Sequence, residues 1–200
     1  SFSQAISSAQ GGDKTVYLAS GASYTMAVGE VIPAGITLVV QEGASLSFGG
    51  EQSFFASKGS LQIDAGGVVS YPNCNAERKW VGNNSSTSDI VLSKGRIRYD
   101  FSEKLLLIDA RSQAQVPSEG ILALSFTRES NVETAYNLNV GLGSMLAVYG
   151  TLDVSAGKSS SFSPRVNVYG TLNIFEGVLK LAKDSEIEVG EDGTLHLPYM

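Results

Sequence analysis

The sequence predicts an all-β fold, a β-solenoid closed at its N-terminal end by a short helix. Three observations lead there. First, a phrase recurs twenty residues apart, as Val148-Tyr149-Gly150-Thr151-Leu152-Asp153-Val154 and Val168-Tyr169-Gly170-Thr171-Leu172-Asn173-Ile174, with a looser echo at Gly193-Thr194-Leu195-His196-Leu197. A fixed period near twenty residues marks a chain that winds about an axis and stacks like side chains on one another. Second, short stretches alternate apolar and polar residues, the period of a strand with one buried face. Third, single-glycine corners separate these stretches, with 22 Gly against 5 Pro, and Asp192-Gly193 is the exception among otherwise scarce hairpin dipeptides. Strands that bend onward without reversing disfavour a β-sandwich or jelly roll.

The elements follow in order. Phe2, Ala5, Ile6 and Ala9 recur at helical spacing behind Ser1 and Ser3 as candidate N-caps, and Gly11-Gly12 stops the pattern. Ten residues do not hold a helix alone in water, so this one must lie on the end of the β-stack. From Thr15 the period becomes two. Strands are expected at 15–18, 23–28, 36–40, 45–48, 53–56, 60–63 and 68–71, then at 89–92, 96–101, 105–108, 121–126 and 136–140. Residues 72–90 read as loop composition around Glu77-Arg78-Lys79-Trp80-Val81, and 112–120, 127–134 and 158–164 read as loops. The organisation is one domain over 1–200: a cap at 1–14, first coils at 15–71, irregular coils with excursions at 72–135, and regular coils at 136–200. It begins and stops mid-theme, as expected of a piece of a longer solenoid.

Aligning the two strong copies puts Val148 over Val168, Leu152 over Leu172 and Val154 over Ile174, all inward. Tyr149 and Tyr169 then form an outward ladder, and Gly150 and Gly170 sit at the bend. Roughly eight rungs at about 4.8 Å give a rod on the order of 40 Å long.

Composition narrows the function classes. The net charge of −6 argues against nucleic acid as a partner. Eight of the 14 cations nevertheless fall within 76–130, where an anionic ligand should be sought. No apolar run reaches the length of a membrane-spanning helix, roughly 18 residues. Cys74 is the only cysteine and His196 the only histidine, which leaves no internal disulfide and makes a thiol enzyme, a serine–histidine–acid triad or a histidine metal centre improbable. No phosphate-cradling glycine motif lies on a strand–helix junction. No metal and no cofactor is expected.

The opening residues carry a resemblance. Phe2-Ser3-Gln4-Ala5-Ile6-Ser7-Ser8-Ala9, then Lys14-Thr15-Val16-Tyr17-Leu18-Ala19-Ser20-Gly21-Ala22-Ser23-Tyr24, resemble the entry of the right-handed parallel β-helix superfamily, the pectate-lyase-like group. Phage tailspikes and bacterial surface passenger domains belong to it. Ile32-Pro33-Ala34-Gly35-Ile36-Thr37-Leu38 resembles its next coil; the match covers 1–65, and 140–200 by style. The resemblance implies a right-handed winding, on a scaffold that hosts lyases, hydrolases, adhesins and inert shafts. The lyases' arginine–proline signature and calcium-binding carboxylates are not visible here.

Two readings compete at each candidate site. Trp80, with Arg78, Lys79 and Tyr71 nearby, reads either as an aromatic platform for sugar rings or acidic glycans, or as a ring folded back to seal the core. Arg96, Arg98 and Arg111, with Lys104, could neutralise a substrate carboxylate or decorate a charged strand face. Asp100, Asp109 and Asp153 could form a pair of glycosidase carboxylates or lend solubility. The catalytic residues are unassigned; Tyr71, Arg78, Lys79, Trp80, Arg96, Arg98 and Arg111 are the ligand-binding candidates. The expected function is a non-enzymatic binding or structural module of a bacterial surface or phage attachment protein, extracellular or on a virion. It would present loops to a cell-surface polysaccharide or host receptor, as a monomer or a homotrimer. The alternative is a polysaccharide-processing enzyme of tailspike or lyase type. Two close acids in a strand-face groove, or an acid with converging arginines, would favour the enzyme.

Overall fold

The chain winds into a parallel β-solenoid behind one short helix. The computed structural model describes residues 1–48, 59–74, 78–80, 82, 92, 94–101, 106–126, 137–155, 165–183 and 185–198. Four sheets hold the strands of this part. One stacks β1 (Thr15–Leu18), β3 (Thr37–Val40) and β5 (Ser60–Ile63). The longest, of seven strands, stacks β2 (Ser23–Met26), β4 (Ser45–Phe48), β6 (Val68–Cys74), β8 (Arg96–Phe101), β11 (Ile121–Phe126), β14 (Thr151–Val154) and β17 (Val178–Leu181). A third holds β7 (Arg78–Trp80), β9 (Leu106–Ile108), β12 (Asn137–Val140), β15 (Arg165–Val168) and β18 (Glu186–Val189). The fourth holds β10 (Gln113–Val116), β13 (Met145–Val148), β16 (Thr171–Ile174) and β19 (Thr194–His196). Every described pairing is parallel and joins strands one coil apart, from Thr15↔Thr37 at one end to Thr171↔Thr194 at the other. Seven rungs span about 29 Å, shorter than the sequence suggested, at the usual spacing of about 4.8 Å.

Helix α1 (Phe2–Gly11) forms because Ser1 and Gln4 make a capping box and Gly12 closes the last turn. Its buried face, Ile6 and Ala9, lies against the first coil, and the Phe2 ring stacks on Tyr24 at 5.4 Å. The helix therefore covers the N-terminal end, as its isolated instability required.

Inside, like side chains stack in columns. Leu46, Val69, Ile97, Leu122 and Leu152 form one column of the long sheet, each 0% exposed. Beside it runs an aromatic file, with Phe48 on Tyr71 and Tyr71 on Tyr99 at 4.4 Å in both steps. Stacked rings at this spacing add roughly 0.5–1.5 kcal/mol per pair to their burial. No coil buries its own face, so this shared interior is the main stabilising term.

The structure corrects the register read from the repeat. Val148 pairs with Ile174 and not Val168; Leu172 pairs with Leu146 and Leu195; Leu152 faces Leu179. The two strong phrases lie on successive corners of the winding, β13 into β14 and β15 into β16, so they are not one coil apart. The coil step here is the longer interval from Met145 to Thr171 or from Thr151 to Val178. The looser echo at Gly193-Thr194-Leu195 is the copy that truly stacks, on Gly170-Thr171-Leu172. Tyr149 accordingly stacks on Phe175 at 4.7 Å. Gly150 and Gly170 are required by close approach of coils: a Cβ on Gly150 would sit 2.2 Å from the carbonyl oxygens of Pro117 and Gly120.

Two further expectations change. The segment 112–120 is no loop throughout, since Gln113–Val116 forms β10 with Ala114 and Val116 inside. Arg78–Trp80 is likewise a strand and no part of a polar excursion. The strand expected at 53–56, most of that at 89–92, and the loops at 127–134 and 158–164 lie outside the described residues.

Candidate functional site

Strand β8 reads Arg96-Ile97-Arg98-Tyr99-Asp100, and alternation sends Ile97 and Tyr99 into the core and both arginines and Asp100 outward. The adjacent strand β11 offers Ala123 beside Arg98 and Ser125 beside Asp100. On the far side of Ala123, β14 places Asp153. Beyond the outward Ile121, which pairs with Arg96, the outward positions of β11 are small, and Ala123 and Ser125 are each 1% exposed although they face away from the core.

The result is a charged ledge across β8, β11 and β14. Arg98 Nε donates to Asp100 Oδ1 at 3.0 Å along its own strand. Arg96 reaches over β11 to Asp153, with Nη2 3.7 Å from Oδ2. Side-chain exposure is 38% and 36% for Arg96 and Arg98, against 12% for Asp153 and 23% for Asp100. The acids are thus recessed and the guanidinium groups stand above them. Burial pushes the Asp153 carboxyl up, but the Ser155 hydroxyl and backbone N–H, with Arg96 and Lys180, hold it below the usual carboxylate range. Asp153 is therefore an anion at neutral pH, held in place by its partners. Planar guanidinium groups beside fixed carboxylates make a surface of oriented donors and acceptors suited to hydroxyls and carboxylates.

The structure divides the residues singled out from the sequence. Arg96 and Arg98 come together on the ledge. Tyr71 is 3% exposed between Phe48 and Tyr99, and Trp80 is 0% exposed, with its indole Nε1 unpartnered among the described residues. Packed this way, neither ring has a face left for a ligand, and Trp80 follows the core-sealing reading. Arg111 sits away from the ledge, exposed at the corner between β9 and β10 with a left-handed φ of 60°. Its backbone N–H donates to the Leu142 carbonyl at 3.1 Å. Arg78 and Lys79 enter β7 as backbone, and their side chains, like Lys104, lie outside the described residues. Asp109 caps the N–H of Ala110 at 3.0 Å in a corner. His196 faces outward in the column that holds Asn173.

Ala123 and Ser125 escaped sequence reasoning. Their signal was present: past Ile121, the outward members of this alternating strand are small, which marks a low stretch between longer neighbours. Among the described residues no cluster of three His, Cys, Asp or Glu could hold a metal ion, and no helix is long and apolar enough to cross a membrane. No known protein family, curated protein or solved structure matches the chain.

Proposed function

We propose that the chain is a non-enzymatic recognition rod, in which a rigid solenoid holds the Arg96–Arg98–Asp100–Asp153 ledge for a polar glycan or a receptor surface. The observation that carries the reading is that both acids of the ledge are engaged by guanidinium groups, Asp100 by Arg98 at 3.0 Å and Asp153 by Arg96 at 3.7 Å. A glycosidase pairs an ionised carboxylate with a second carboxyl that keeps its proton, and a carboxyl beside an arginine is a poor candidate for the second. Asp153 is held ionised by Ser155, Arg96 and Lys180, which suits it to accept hydrogen bonds from sugar hydroxyls. The arginines above it supply donors in a fixed geometry, and the parallel sheet beneath restricts their movement. A setting on a bacterial surface or a virion, with a cell-surface polysaccharide or host receptor as partner, is supported by the likeness of residues 1–65 to β-helical passengers and tailspikes.

A second reading has its own observation. An acid with neighbouring arginines on one strand face, Asp153 with Arg96 and Arg98, is an arrangement that lyase-type neutralisation of a substrate carboxylate would also use. One experiment separates the two. The protein is incubated with a panel of capsular, pectin-like and neutral polysaccharides, then followed by affinity electrophoresis and by chain-length analysis. Retardation without chain shortening, lost in Arg96→Ala and Arg98→Ala, is the expected result. Chain shortening by the wild-type protein would establish the enzyme reading instead.

A further inference from the structure

Among the described residues, two other than glycine take a left-handed backbone, Lys14 at φ 64° and Arg111 at φ 60°. A side chain with a Cβ is strained there. The Lys14 ammonium has local work, donating to the Gln10 carbonyl. Arg111 is exposed at the corner between β9 and β10, and its guanidinium group has no partner among the described residues. Comparable corners use glycine: Gly143 stands at the same corner one coil on with φ 66°, and Gly66 turns the corner from β5 to β6 with φ 79°. Glycine would meet this backbone without strain, so the arginine is held against local preference. Its side chain is also placed. The Cγ lies over Gly143, 3.6 Å from where a Cβ there would sit. Beside it Leu142 is 59% exposed, and on the next coil Tyr169 is 43% exposed.

We propose that this corner, apart from the ledge, docks a segment of another protein that carries a carboxylate beside an apolar side chain. The backbone donors that would cradle a phosphate are already used. Ala110 N–H donates to Asp109 Oδ1, Arg111 N–H to the Leu142 carbonyl and Ser112 N–H to the Asp109 carbonyl. A free phosphate or sulfate would therefore meet one guanidinium group and two apolar side chains. A carboxylate instead takes the planar fork through two parallel hydrogen bonds. Leu142 and Tyr169 then cover the apolar part of the same segment, and an arginine beside an aromatic ring is the composition of an interface anchor. Asp109 does not compete, because its carboxylate is spent on the corner's own N–H and makes no ion pair with Arg111.

A random peptide display library selected against the protein, with Arg111→Gly as the counter-target, tests the proposal. The enriched peptides should share an Asp or Glu next to an apolar residue. Their affinity should fall about tenfold or more in Arg111→Gly and by a smaller factor in Leu142→Ala. Inorganic phosphate should displace them no better than chloride at equal ionic strength. Arg111→Gly should also raise the thermal midpoint by about 2 °C, because glycine relieves the corner, while Leu142→Ala leaves it unchanged. No enrichment, enriched peptides without an acid, displacement by phosphate alone, or equal binding by Arg111→Gly would overturn the proposal. So would a lower midpoint in Arg111→Gly, which would make the arginine a structural part of its corner.

Discussion

Leu172 and Leu195 are neighbours in one inward column, yet they live in different surroundings. Leu172 has a coil on either side and is 0% exposed; Leu195, on the last described coil, is only partly buried. The backbone plan is the same for both. The difference lies in what covers them, and it teaches that a solenoid's stability is local: each rung is worth what its two neighbours bury on it. The capped end follows the same rule by other means, since α1 supplies the cover that a further coil supplies elsewhere.

Mutations at matched positions measure how much the cover is worth. Leu172→Ala should cost roughly 2–5 kcal/mol, because coils on both sides prevent the gap from collapsing. Leu195→Ala should cost about 1 kcal/mol or less, since water already reaches that site. Equal losses in urea melts would refute the idea that cover sets the value of a rung. Gly150→Ala should cost about 1–3 kcal/mol, because the added methyl must push the Pro117 and Gly120 carbonyls apart.

Smaller effects sharpen the comparison on the surface. The recessed Arg96–Asp153 pair should couple by about 1 kcal/mol in a double-mutant cycle, and the open Arg165–Glu186 pair, 53% and 64% exposed, by less. The pH dependence has two signs. Asp153 is held below its unfolded pKa, so its contribution is present above about pH 4 and fades as the pH falls through the folded value. The Tyr24 phenol, partly buried beneath Phe2 and donating to both Glu30 oxygens at 2.8 Å, is pushed up to about 12. Its contribution is present below about pH 10 and lost as the pH climbs through the folded value. Tyr24→Phe should flatten the alkaline loss of stability, and Asp153→Asn the acid one.

Much of the architecture was legible because short alternating strands and glycine corners are local signals. Ser45–Phe48 and Ser60–Ile63 alternate cleanly and fold as read. Register was not legible. Every side of the winding uses the same small–polar–apolar grammar, so a repeated phrase reveals a corner but not which corner. The stretch of sequence between the two phrases brings them to a spacing that reads as a whole coil. Strand β10 was missed because its apolar half is only Ala114 and Val116. The ledge was half legible: Arg96, Arg98 and Asp100 share a face by alternation alone. Asp153 joins them only through the pairing of β8, β11 and β14, which no local pattern encodes.

Hydrogen–deuterium exchange, resolved by strand and run at low protein concentration, reads the stability of each rung separately. Strands β8, β11 and β14 should exchange only on global unfolding, with β17, β18 and β19 opening far faster. Equal protection from the interior rungs to the last described coil would show that cover does not set local stability.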